Sequence, residues 1–149
     1  MSLRTPYELN ASSWELGTRA QALLELNAPV YSVFSNTSLP PPTSAPSSSN
    51  LNDVISIAQT TVFKLQNIST PQPLVAKDGA AGDPASIGVA VLLANWTKVA
   101  PASDYAQAAT DQLEYLLTSV PRTSDGAISH RVSQVQLWYV AKTCISVFQ

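Results

Sequence analysis

Residues 87–96, Ile-Gly-Val-Ala-Val-Leu-Leu-Ala-Asn-Trp, constrain this chain more than any other stretch, because they are apolar nearly all round. Asp83-Pro84 precedes them. That is an N-cap residue followed by proline at the first helical position, where the missing N–H would have had no helical partner. The pattern predicts a helix over 84–97. A helix with no polar face is stable only when other elements surround it. The apolar run is far shorter than the ~20 residues that cross a bilayer, so its surroundings have to be protein.

Three further segments can supply that cover. Ser12-Ser13-Trp14-Glu15 has the form of a capping box and predicts a helix over 13–26, with Trp14, Ala20, Leu23, Leu24 and Leu26 on its apolar side. Gly17 weakens this helix by ~1 kcal/mol relative to alanine, and Ala28-Pro29 closes it. Asn50 or Asn52 caps a helix over 52–66, in which Val54, Ile55, Ile57, Ala58, Val62, Phe63 and Leu65 recur at helical spacing. Ser103 caps a helix over 103–119, with Tyr105, Ala106, Ala109, Leu113, Leu116 and Leu117 on one side and Asp104, Asp111 and Glu114 largely on the other. A further helical segment follows Ser133. Residues 35–50 join a proline run to almost no apolar side chains and read as a surface loop. Apart from 30–34, no alternating apolar run competes with these readings. The class is all-α, a single domain of 149 residues built from αα-hairpins.

Composition excludes several functions. A net charge of −2 and a pI near 5.1 give no electrostatic reason to bind nucleic acid. Cys144 is the only cysteine, so there is no intrachain disulfide framework and no cysteine metal site; it reads as a small core residue. With His130 it would make only an incomplete metal site. No glycine-rich phosphate loop is present, since Asp78-Gly-Ala-Ala-Gly-Asp-Pro84 fits neither nucleotide pattern, and no G-x-S-x-G elbow exposes a serine. No cofactor and no membrane span is expected. Charged residues are only 12% of the chain, against ~25% in ordinary soluble domains. Glycosylation sequons stand at Asn10, Asn36, Asn67 and Asn95. Both features suit an extracellular glycoprotein, although the N-terminus lacks a secretory signal, and its start reads as truncated or mispredicted.

The segment Asp125-Gly-Ala-Ile-Ser-His-Arg-Val-Ser-Gln-Val-Gln-Leu-Trp138 strings an aspartate, the only histidine, an arginine, two glutamines and a tryptophan onto a turn. That mix suits a sugar-binding site. Together with residues 83–96 and with Tyr115-Leu-Leu-Thr-Ser-Val-Pro-Arg122, it resembles the unsaturated rhamnogalacturonyl hydrolases, secreted glycosidases of the (α/α)6 six-hairpin fold. The likeness covers residues 14–138. It implies that the hairpins form part of an (α/α)6 toroid, with 84–97 an inner helix and 103–119 an outer one. It also implies a pectic ligand, a rhamnogalacturonan fragment ending in 4,5-unsaturated galacturonic acid. In that family an aspartic acid protonates the sugar's enol double bond and helps water add, after which the hemiketal collapses.

By the same resemblance, Trp138 matches a tryptophan that stacks on the sugar and His130 a loop histidine that hydrogen-bonds substrate. Asp83 stands where the family often has a second acid, a position its capping role also explains. Arg131 and Gln136 are polar neighbours, and Asp125-Gly126 reads as a turn. The chain departs from the pattern at one decisive place. The family continues tryptophan, any residue, aspartate, whereas here Val140 occupies the aspartate position and cannot carry a proton. Residues 139–149 also diverge. The expectation is therefore the N-terminal portion of a six-hairpin glycosidase-like domain, incomplete and inactive, that self-associates through inner-helix surface. Two alternatives stand beside it: a non-catalytic helical module that binds sugar or a protein, and a hydrolase that uses Asp83 in a repurposed site.

Overall fold

A computed structural model describes residues 12–35, 49–65, 70–98 and 104–137, which are mainly helical with no named strand among them. The helices are α1 (Ser13–Asn27), α2 (Asn52–Phe63), α3 (Gly82–Ala85), α4 (Gly88–Thr97) and α5 (Tyr105–Thr118), with single 3-10 turns at Pro29–Tyr31 and Ser49–Leu51. The apolar α4 lies at the centre, packed on α1, α2 and α5. Leu24, Val54, Ile87 and Val91 are wholly buried in the cluster these helices share, each contributing roughly 1.5–3 kcal/mol of transfer free energy. No helix among the described residues is long and apolar enough to cross a membrane.

α1 begins as its capping residues require. The Ser12 N–H donates to Glu15 Oε2 at 2.7 Å, and Leu16 N–H bonds the Ser12 carbonyl at 3.1 Å. Its buried face differs from expectation: Ser13, Gly17, Ala20 and Leu24 face inward, while Trp14 is 53% and Leu26 79% exposed. The small residues win that face because α3 and α4 approach α1 closely. A Cβ on Gly17 would lie 2.5 Å from Ser86 Cβ and 2.9 Å from the Ser86 backbone carbon, closer than such atoms approach. Gly17 is a packing requirement of this contact.

The helix expected over 84–97 is broken in two at the same contact. α3 ends at Ala85 and α4 starts at Gly88. Ser86 Oγ donates to the Asp83 carbonyl at 2.6 Å, and Ser86 N–H bonds the Gly82 and Asp83 carbonyls, which tightens the turn. The N-cap of α3 is Ala81, without a side-chain cap. Asp83 therefore sits inside the first turn, and its assignment as the cap is corrected.

Other boundaries shift for local reasons. α2 stops at Phe63, whose side chain is 91% exposed, and buries Thr61 in place of the expected Val62 and Phe63. Its N-cap is Leu51 rather than Asn50 or Asn52; Asn50 Nδ2 instead donates to the Asn27 carbonyl at the end of α1, 2.9 Å away. Asp104 is the N-cap of α5, which replaces the assignment of Ser103, a residue outside the described set. α5 buries Tyr105, Ala108, Ala109, Gln112 and Leu116, leaving Ala106 and Leu117 exposed. Residues 30–34 form turns, and 133–137 are not helical. Most of the 35–50 loop, the 139–149 tail, Cys144 and the sequons at Asn10, Asn36 and Asn67 lie outside the described residues; Asn95 is exposed on α4.

Candidate functional site

A second, smaller core ties the loop after α5 to the short helix α3. Ala81, Ala85, Leu116 and Val120 are buried together, with Tyr115, Ile128 and Val132 packed against them. This patch brings residues 128–132 beside 78–83, although some fifty positions separate them in sequence. Main-chain bonds then fix the register. Ala81 N–H donates to the His130 carbonyl at 2.7 Å and Val132 N–H to the Gly79 carbonyl at 3.2 Å, around an antiparallel bridge between Ala80 and Arg131. Gly79 takes φ +82° there, a conformation that costs glycine little.

The Asp125-Gly126 reading as a turn holds. Gly126 has φ +89° and donates to the Thr123 carbonyl at 3.0 Å. Thr123 Oγ1 bonds Asp125, and Arg122 clamps the turn by donating to the Gly126 and Leu117 carbonyls, each at 3.0 Å. Asp125 is exposed at this turn.

Beyond the turn, buried Ser129 organises the rest of the loop. Its Oγ accepts from Gln136 N–H at 2.9 Å and from Arg131 N–H at 3.1 Å, and has the Arg131 carbonyl at 2.8 Å to donate to. The loop curls around this hydroxyl, and His130 N–H reaches the Gln136 carbonyl at 2.7 Å. His130 is only 5% exposed, so it is neither a solvated loop histidine nor a side chain with a broad face for a ligand. Gln136 holds His130 through its main chain.

What faces outward is Arg131, exposed, with Asp83 and Asp78 half-buried. Burial lifts the Asp83 carboxyl above its ordinary pKa; His130 opposes the rise, Asp78 adds to it, and Arg131 opposes it. Asp78 is held from α1, accepting a hydrogen bond from buried Ser13 Oγ, while its Oδ1 accepts from Ala80 N–H at 3.4 Å. The arrangement is a carboxyl poised to hold a proton more readily than usual, flanked by one acid and two basic side chains. Such a group suits proton exchange or donation to an anion. Among the described residues no cluster of histidine, cysteine, aspartate and glutamate could hold a metal ion.

Of the residues singled out from sequence, Asp83, His130 and Arg131 come together; Trp138 and Val140 lie outside the described residues. Asp78 and Ser129 were missed. Asp78 opens a glycine-bearing stretch whose pattern draws attention to phosphate loops and away from its carboxylate. Ser129 carries no signal beyond its place before the single histidine. No family model, curated protein or solved structure matches the chain.

Proposed function

We propose that this chain is a six-hairpin glycosidase-like module that binds an acidic sugar of the pectic class at Asp83, Asp78 and Arg131 without turning it over. Asp83 carries the reading, because a carboxyl with a raised proton affinity, beside an exposed arginine, can donate to a sugar carboxylate that the guanidinium attracts. His130, buried beneath, acts through its main-chain bonds to Ala81 and Gln136. The absence of turnover rests on Val140, which stands where the resembling enzymes carry their acid. α4, surrounded by helices on several sides, suits the inner helix of a toroid built of αα-hairpins.

The test is calorimetric titration with unsaturated galacturonyl-rhamnose while the absorbance of its double bond is followed. Binding should be saturable, weakened by Arg131→Gln, and the absorbance constant. The raised pKa of Asp83 also favours a second reading, in which Asp83 serves as acid and base itself. Steady loss of absorbance, abolished by Asp83→Asn, would establish that hydrolase and refute the first reading. Neither binding nor turnover would refute both.

A further inference from the structure

A cavity of about 520 Å3 opens between α1, α2 and residues 72–77, and none of Asp78, Asp83, His130 and Arg131 lines it. Its volume lies in the ~300–1,000 Å3 range of small-molecule sites. Leu16, Ile57, Leu65, Leu74 and Val75 supply an apolar lining. The charges are one-sided: among the described residues Arg19, Lys64 and Lys77 line it with no acidic residue. That gathers three of the eight lysines and arginines of a chain whose net charge is −2, so the cavity is basic against the trend of the molecule. Lys77 holds φ +63°, a backbone state rare for any residue but glycine, and such strain concentrates where a side chain has a task.

A neighbouring hollow bounds what can enter. Leu65 and Gln72 line both spaces, and the second is lined by Asp104 and Asp111. A ligand long enough to cross would meet like charge if it were anionic at both ends. We propose that the larger cavity binds a small amphipathic organic anion with a single carboxylate on an apolar body, the head held by Lys64 and Lys77 and the body against Leu16, Ile57 and Leu74. The site is separate from the sugar site and does not depend on it.

The probe is decanoate, titrated into the full chain below its micelle concentration, with decyltrimethylammonium as the cation of matched apolar body. Decanoate should bind at one per chain and more weakly as salt is raised, and the cation should not bind. Lys64→Gln should weaken decanoate about fivefold, the loss of roughly one charge contact. Lys77→Gly should do the same while melting no lower than the parent, because glycine accepts the positive φ. Asp83→Asn should leave decanoate affinity unchanged. Equal binding of the two probes, no effect of either lysine substitution, or no saturable binding of decanoate would each overturn the proposal.

Discussion

At Gly17 an added methyl group sets two effects against each other. Alanine would gain ~1 kcal/mol in helix propensity, but its Cβ would meet Ser86 side chain and backbone at the α1–α3 contact. Overpacking of that kind typically costs 1–3 kcal/mol, and here the backbone carbon cannot swing away. Gly17→Ala should therefore lower the denaturation midpoint, and adding Ser86→Gly should recover part of the loss. A rise in stability would show that α1 and α3 stand further apart. Ser129→Ala should cost about 1–3 kcal/mol, because it strands the N–H groups of Arg131 and Gln136 in the loop interior; chemical denaturation measures it. For Asp83 the sign follows from its raised pKa. The folded state binds the proton more tightly than the unfolded chain, so this group's contribution to stability falls as pH rises from the unfolded carboxylate range through the folded pKa. Asp83→Asn should thus gain in melting temperature relative to the parent between pH 4 and 7, and the difference should shrink at lower pH.

The helices illustrate which signals are local. The capping box of α1 and the periodicity of α2 and α5 are carried by residues within one or two turns of each other, and those elements stand near their expected positions. The break between α3 and α4 depends on Ser86 meeting Gly17 of another helix, and Asp83-Pro84 with the apolar run beyond is equally compatible with one continuous helix. Gln112 on α5 shows the same limit. It is completely buried, and its Oε1 accepts from the Leu74 N–H at 2.9 Å, anchoring the 70–77 stretch to α5. Among the described residues its Nε2, like the Tyr105 hydroxyl seven positions earlier, is buried without a hydrogen-bond partner. Gln112→Leu removes that orphan but strands Leu74 N–H, with a cost of roughly 1–3 kcal/mol. Faster hydrogen exchange at the Leu74 amide should accompany the loss, and Gln112→Glu, which keeps the acceptor, should retain more protection than leucine. Equal protection in both variants would contradict the anchor.

Across the whole molecule the apolar surface and the polar site make separate claims. Phe63, Leu26 and Phe34 are 91%, 79% and 78% exposed, and exposed apolar side chains favour association where they gather into a contiguous patch. Sedimentation should therefore show a concentration-dependent oligomer; a monomer at every concentration would contradict that reading. The proposed site is legible in part: the chain alone names Asp83 and His130, and Arg131 only as a polar neighbour without an assigned role. The depth of His130, and the roles of Asp78 and Ser129, arise only when residues 78–83 and 128–132 meet. The central claim is that protonation of Asp83 admits an acidic sugar there. His130 is the only histidine, so its imidazole resonances report on the site without ambiguity. Titrating unsaturated galacturonyl-rhamnose at pH 5 and pH 7 should give a saturable shift of those resonances with a lower Kd at pH 5, and Asp83→Asn should remove most of the pH dependence. No shift at either pH, or tighter binding at pH 7, would contradict the account.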